Sequence, residues 1–293
     1  MAVYKGIDVS KWQGEINWSL VKNAGIQFAM IRASFGWGKG QKDKLFNTNY
    51  TGAKKVGIPV GAYHYSYATT VEDARKEADL CYSIIKGKKF EYPIAYDMEE
   101  NRVAALGKEK VSAIAKAFCE RMESYGYYVC IYANKHWLDN YFTDEIFKKY
   151  DIWLAQWSEK PTFERTYGMW QKTSKGKVNG IEGNVDLDES YKNYPAIMKY
   201  NGLNGFGAEI EAKPPKRGFV AGQKVVLKNA KLYSSAWSDV VKNHLSGTYY
   251  IYDGIYFEGR YRVTNSLKNV ERKPISKYVT GFVDRDDMRK ENA

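Results

Sequence analysis

The sequence predicts an α/β chain in which an irregular barrel of eight largely parallel strands and five helices is followed by a small all-β module. Three observations carry this expectation. Over the first 200 residues, strand-like apolar runs alternate with helix-periodic segments, as expected when strands are joined by helical crossovers. The runs number eight, which is enough to close a barrel. Gly and Pro then concentrate in Gly202–Gly218, and only short strand-like pieces and turns follow. The predicted division is a barrel over 1–200, a linker over 201–218 and an all-β module over 219–293.

The elements follow in order. Tyr4–Val9 reads as the first strand, Asn17–Ala24 as a short helix, Phe28–Ser34 as the second strand and Asn47–Val56 as a second helix. Ile58–Tyr67 is the third strand. Val71–Lys86 opens on Thr70-Val71-Glu72-Asp73, a capping-box start with Asp in place of Glu, and sets Ala74, Ala78, Cys81 and Ile85 on one face. Tyr92–Glu99 is the fourth strand. Lys108–Tyr125 places Val111, Ala115, Phe118 and Met122 at helical spacing and meets Gly126, a C-terminal cap. Tyr127–Asn134 is the fifth strand and Lys135–Lys149 a further helical segment. Asp151–Trp157, Tyr167–Thr173 and Asn184–Asp188 complete the eight, joined by connections too short or too Gly-rich for a full helix. Past the linker, Lys224–Lys228, Thr248–Tyr252, Arg260–Thr264 and Val279–Asp284 alternate with turns at Tyr252-Asp253-Gly254 and Glu258-Gly259.

Composition narrows the class of protein. The 293 residues are ample for a large core. No apolar run approaches the ~20 residues of a membrane-spanning helix, and Met1–Asp8 runs directly into a strand-like pattern, so neither membrane insertion nor a signal peptide is expected. Cys81, Cys119 and Cys130 are odd in number, lack metal-ligand spacing and sit in apolar stretches, which reads as reduced core thiols. The net charge of +11 is uneven: from Lys213 onward 16 basic residues face 8 acidic ones. Such a surplus suits an anionic partner, whether wall polymer, membrane surface or nucleic acid. No nucleic-acid motif accompanies it, and none is expected to bind.

The chemistry concentrates in acids near strand ends. Along a strand, Asp97 and Glu99 share a face roughly 6.6 Å apart at ~3.3 Å per residue. Each raises the other's pKa, and partial burial adds to the rise, so one carboxyl keeps a proton near neutrality while the other is charged. Taken alone, an Asp-x-Glu is equally a pair of solvated strand-end acids. Asp8, in Gly6-Ile7-Asp8-Val9-Ser10, and Asp186, in Gly183-Asn184-Val185-Asp186-Leu187-Asp188, fall at the ends of other strands. In a closed barrel the ends of strands one, four and eight face a common pocket, which would gather four carboxyls. Cation binding, glycosidic acid–base chemistry and recognition of sugar hydroxyls all suit such a cluster. Calcium-loop spacing is missing and none of the three His lies in a metal motif, so no metal and no cofactor are expected.

Aromatics lie near the same strand ends: Trp12, Phe35, Trp37, Tyr63, Tyr65, Tyr132, Trp157 and Trp170. Flat apolar rings stack on pyranose faces while carboxylates handle hydroxyls and the leaving oxygen. With 25 Tyr in the chain, about half of these rings are equally barrel core. Arg32 is placed to pair with the acids. His64 has no Ser or Cys partner that sequence can set beside it and reads as a core or pocket-wall residue, and Gly36–Gly40 reads as a rim loop.

Gly6-Ile7-Asp8-Val9-Ser10, Gly61-Ala62-Tyr63-His64, Tyr96-Asp97-Met98-Glu99, Trp153-Leu154-Ala155-Gln156-Trp157, Trp170-Gln171 and the late Asp186 together resemble glycoside hydrolase family 25, the Chalaropsis-type muramidases that include many phage endolysins. The resemblance covers roughly residues 3–198. It implies an irregular (β/α)5(β)3 TIM-like barrel and hydrolysis of the β-1,4 bond between N-acetylmuramic acid and N-acetylglucosamine in peptidoglycan glycan strands. It implies Glu99 as general acid and Asp97 as the carboxylate that orients the substrate's 2-acetamido group for attack on the anomeric carbon, with an inverting route left open. Asp8 and Asp186 match the remaining family acids, and Gln171 joins the substrate-binding residues. The tail, through Ser246–Gly254, Gly259–Ser266 and Val279–Asp284, resembles the small all-β SH3-like barrel of wall-binding modules, without a glycine-binding signature. That resemblance implies an anionic Gram-positive wall polymer as its partner. The expectation is an endolysin made in a host cytoplasm that acts on the cell wall after membrane permeabilisation. A non-catalytic wall-binding protein and a chitinase-like hydrolase are the competing readings.

Overall fold

The computed structural model describes residues 3–38, 40–207, 218–234, 241–257, 259–272 and 275–290. It divides into two compact units, Met1–Glu209 and Ile210–Ala293. In the first, β1 (Tyr4–Val9), β2 (Phe28–Phe35), β3 (Val60–Tyr65), β4 (Ile94–Asp97), β5 (Val129–Asn134), β6 (Asp151–Ala155), β7 (Met169–Gly176) and β8 (Val185–Ser190) close into a barrel in chain order. Neighbours from β1 to β7 are parallel, whereas β8 runs antiparallel to both β7 and β1. A parallel return needs a crossover of a dozen or more residues, and the segment 177–184 is too short for one. The largely parallel barrel expected from sequence therefore ends on a reversed strand.

Helices α1 (Trp18–Asn23), α2 (Phe46–Lys55), α3 (Val71–Ile85), α4 (Asn101–Ala104), α5 (Lys108–Ser124), α6 (Lys135–Asn140), α7 (Asp144–Lys149) and α8 (Tyr194–Asn201) accompany the barrel. The Thr70 side chain accepts from Asp73 N and starts α3, as its capping box predicts. The single helix expected over Lys135–Lys149 is instead two. Thr143 is extended at the start of α7, its N–H held by Ser112 Oγ at 2.8 Å, and buried Phe142 turns inward between the halves. Likewise β4 stops at Asp97 rather than Glu99, because Glu100 already stands at the N-terminus of α4 and turns the chain away.

Alternation along the strands divides the buried residues into two layers. One set, including Ile7, Ile31, Val60, Ile94, Ile131, Ile152 and Leu154, packs with helix residues such as Ala78, Cys81, Ile114 and Phe118. The other fills the barrel: Phe28 stacks on Tyr92 with centroids 4.3 Å apart, and Trp153 meets Tyr63 and Tyr132 edge-on at 6.1 and 4.7 Å. Such a barrel is filled, leaving its chemistry to the rim. Cys81, Cys119 and Cys130 are buried free thiols.

The predicted linker begins too early. Asn204 is fully buried, its Oδ1 accepting from Tyr128 N at 2.7 Å and its Nδ2 donating to Tyr92 O at 2.8 Å. Residues 202–207 therefore fasten onto the chain leading into β4 and β5, and the remainder of the predicted linker, 208–217, lies outside the described residues. In the second unit β9 (Lys224–Tyr233), β10 (Val241–Phe257), β11 (Arg260–Thr264), β12 (Gly281–Asp284) and β13 (Met288–Lys290) form an antiparallel sheet in the order β10-β11-β12-β9-β13, and pairing of β10 with β9 closes it on itself. A short helix, α9 (Ile275–Tyr278), also belongs to it. The turn expected at Tyr252-Asp253-Gly254 is a register shift inside β10, where Asp253 binds Arg262.

Candidate active site

The barrel brings the predicted acids together at one rim. Asp8 is the penultimate residue of β1, Asp97 ends β4, and Glu99 follows two residues later on the turn into α4. Asp186 comes at the start of β8, not at its end. It reaches this rim because β8 is reversed, which sets it directly opposite Asp8. Asp8 and Asp97 are 7% and 5% exposed, while Glu99 and Asp186 are half-buried. A fifth acid joins them: Asp188 lies two residues along β8 on the same face, 2% exposed, with Oδ1 accepting Trp153 Nε1 at 2.8 Å. The strand alternation that pairs Asp97 with Glu99 in the sequence also puts Asp186 and Asp188 on one face, and that is the signal by which Asp188 is found.

Crowding controls the protonation of these groups. Burial pushes the Asp97 carboxyl well above the usual carboxylate range, and the charge of Glu99 adds to this while Arg32 opposes it. Glu99 is raised by burial, then by Asp186 and Glu100. Asp8 is raised well above its ordinary value by burial, then by Asp188 and Asp186, against a hydrogen bond from Gln171. Burial raises Asp186 and pushes Asp188 up to about 8. All five carboxyls are thus raised above their ordinary values, which favours a retained proton beside a charged neighbour, the condition for acid and base chemistry at one site. Asp97 Oδ1 is buried with no protein hydrogen-bond partner.

The aromatics divide between rim and core. Trp12, on the single turn Lys11–Gln13 after β1, is 75% exposed, and Trp157, just past β6, is 63% exposed. Trp37 is exposed after β2, and Phe35 and Tyr65 are half-buried at the ends of β2 and β3. Tyr63 and Tyr132 are buried on the barrel interior, where burial and the site acids hold both phenols protonated. Glu99, Tyr132, Asn134, Lys135, His136, Ala155 and Trp157 enclose a pocket of about 300 Å³. Trp170 is a correction: it is 5% exposed in the layer between barrel and helices, its Nε1 spent on Gln156 O, so it offers no stacking face.

Gln171 is 3% exposed, and both its amide nitrogen and its amide oxygen hydrogen-bond within the protein. Its Nε2 donates to Asp8 Oδ2 at 2.7 Å, and its Oε1 accepts Tyr132 Oη and Trp157 Nε1, each at 3.0 Å. These bonds tie Asp8, Tyr132 and Trp157 together at the site. Arg32 pairs with Asp43 at 2.9 Å, not with the site acids, and reaches Asp97 only through space. His64 lies on the outer face of β3, fully buried, its Nδ1 2.8 Å from Ser34 Oγ and its Nε2 3.7 Å from Glu77 of α3. Glu77, also fully buried, accepts Ser66 Oγ, Tyr96 Oη and Tyr67 N at 3.0, 2.6 and 2.7 Å. The only sequence signal for Glu77 is an acid set on the apolar side of an amphipathic helix.

The arrangement can deliver a proton from one carboxyl and hold a polar group against another, between exposed aromatic faces. Among the described residues no group of three or more His, Cys, Asp or Glu side chains is set to hold a metal ion. The model for "Glycosyl hydrolases family 25" matches residues 7–181. Lysozyme M1 of Streptomyces globisporus is 33% identical over 199 residues, 63% of this chain and 67% of that protein. The autolytic lysozyme of Clostridium acetobutylicum is 30% identical over 191 residues, 63% of this chain. The chain spans only 55% of that relative's length. Among solved structures, the CTP1L endolysin superposes with a TM-score of 0.57 at 26% identity, over 68% of this chain and 69% of that one. With the matched span running from β1 past β7 and taking in Asp8, Asp97 and Glu99, this chain belongs to glycosyl hydrolases family 25.

Proposed function

We propose that the chain is a lysozyme-type peptidoglycan hydrolase that cleaves the β-1,4 bond between N-acetylmuramic acid and N-acetylglucosamine. The observation that carries this reading is Asp97 Oδ1, a buried acceptor with no protein partner, beside a raised, half-buried Glu99. An orphaned buried acceptor is costly unless a ligand satisfies it, and the N–H of a 2-acetamido group does so. Glu99 gives its proton to the departing glycosidic oxygen. The acetamido carbonyl oxygen, oriented by Asp97, attacks the anomeric carbon, and water then opens the cyclic intermediate while Glu99 takes a proton back, with retained configuration. Trp12, Trp37 and Trp157 serve as stacking faces for the glycan.

The second unit is proposed to bind an anionic polymer of the Gram-positive wall as an SH3-like module. Its closed antiparallel sheet and surplus of basic residues support this. Likeness to the CTP1L endolysin supports a phage-type enzyme that acts on the wall after membrane permeabilisation. Mass spectrometry of digested peptidoglycan tests the reaction: new reducing muramic acid ends are expected. Reducing glucosamine ends, new amino termini or an undigested wall would each overturn it.

A further inference from the structure

The acid that the family reading leaves unassigned, Asp188, has an unusual set of partners. Its Oδ1 accepts the Trp153 indole N–H at 2.8 Å. Its Oδ2 is buried and receives no N–H or hydroxyl donor, and the carboxyl of Asp8, on the adjacent strand β1 and the same face of the barrel, is the neighbouring acid on which Asp188 acts most strongly. An ionised carboxylate only accepts, so two carboxyls bond to each other only when a proton lies between them. The surroundings also say where. Gln171 Oε1 takes two donors, from Tyr132 and Trp157, which turns its NH₂ toward Asp8 and makes Asp8 Oδ2 an acceptor. The indole makes Asp188 Oδ1 an acceptor too. Asp8 Oδ1 and Asp188 Oδ2 remain for the proton.

We infer that Asp8 and Asp188 form a carboxyl–carboxylate pair sharing one proton between β1 and β8, and that Asp188 is a positioning residue that holds Asp8 in place through it. The pair then carries one negative charge instead of two. This limits the repulsion with Asp97 and Asp186, whose charges also act on Asp8. The groups facing the pair are Asp186 on its own strand, Asp97 from β4, Tyr63 from β3 with Arg32 behind it, Trp153 from β6, and Gln171 with Tyr132 from β7 and β5. No cation bonds to either member among the described residues, so the proton is what neutralises the second charge. Pairs of like charges in one buried site behave in this way.

Asp188→Asn is the discriminating variant. Its amide keeps an oxygen for Trp153 and donates an N–H toward Asp8, copying the protonated half of the pair without titrating. Asp188→Ala removes both. Two readouts need no substrate, so they stand even if the proposed muramidase reaction is wrong; only the activity arm rests on that reading. In the infrared, the difference spectrum of wild type minus Asp188→Asn at neutral pH should show a protonated-carboxyl band that fades as pH passes about 8. In thermal unfolding, a carboxyl that keeps its proton up to about 8 when folded but gives it up at the ordinary carboxyl value when unfolded costs the fold stability as pH rises between those two values. The melting temperature of Asp188→Asn should therefore gain on wild type across that window. For activity, Asp188→Ala, checked by circular dichroism, should lose about 10²-fold in kcat through a misplaced Asp8, and the conservative Asp188→Asn should recover most of that loss. A difference spectrum without that band, a melting difference flat with pH, or Asp188→Asn as inactive as Asp188→Ala would each overturn the pair.

Discussion

Asp8 and Asp186 stand directly opposite one another across the antiparallel β1–β8 pair. In a fully parallel barrel the first residues of the eighth strand would lie at the far end from the site. The short connection after β7 reverses β8 and carries Asp186 to the rim where β1 and β4 deliver Asp8 and Asp97. Directly opposed strand positions place side chains ~4.5–5.5 Å apart at Cβ, close enough for two acids to act on each other's protonation.

Glu99→Gln should keep the fold and lose the donated proton. The side chain is half-buried and matched in shape by glutamine, so thermal unfolding should change little. Turnover on purified cell walls should fall by on the order of 10²–10⁴. Near-normal clearing of a wall suspension by this variant would remove Glu99 as the acid.

Asp186→Asn should move the alkaline limb of the pH–rate profile. A general acid works while protonated, so activity declines as pH rises through its raised value. Burial is the largest cause of the rise at Glu99 and the charge of Asp186 is the next. Neutralising Asp186 lowers the Glu99 value and brings the decline to lower pH, read from kcat/KM. A limb that stays in place, or moves upward, would show that Asp186 does not tune the acid.

The barrel was legible because its elements repeat a simple alternation, and the Thr70 start and Gly126 stop bracket two of its helices. The break at Tyr141–Thr143 was hidden because helical spacing continues across it, and only tertiary contacts from Ser112 and the burial of Phe142 divide the run. The acids were legible as strand-end residues, but their partners were not. Gln171 is claimed by Asp8 at a sequence separation of 163, and Arg32 by Asp43 in the loop after β2. Trp170 and Gln171 show the limit of a local motif: adjacent on one strand, they face opposite sides, one to the helix layer and one to the site.

Gly6→Ala should destabilise the barrel. A Cβ at this position would lie 2.3 to 2.5 Å from three atoms of the Phe28 ring, and that ring is fixed by its stack on Tyr92. Overpacking of this kind costs typically ~1–3 kcal/mol in denaturant unfolding. Combining Gly6→Ala with Phe28→Leu should recover part of the loss, since the two changes share one volume. Independent, additive effects would place the strain elsewhere.

Substitutions at Asn204 test whether residues 202–207 belong to the catalytic unit. The side chain is fully buried and supplies both an acceptor for Tyr128 N and a donor for Tyr92 O. Its backbone, at φ 54, is in the left-handed region that Asn tolerates better than most residues. Asn204→Ala removes both hydrogen bonds and adds backbone strain, whereas Asn204→Gly removes the bonds and relieves the strain. Each buried group left unpaired costs ~1–3 kcal/mol, so both variants should unfold at clearly lower denaturant, with Gly nearly as damaging as Ala. An interdomain linker position would tolerate either change within about 0.5 kcal/mol. A loss in Ala that Gly fully restores would assign the effect to the backbone turn and leave the two hydrogen bonds without weight. A loss in both assigns it to the bonds, which tie the segment after α8 to the chain entering β4 and β5 and so to the strand that carries Asp97.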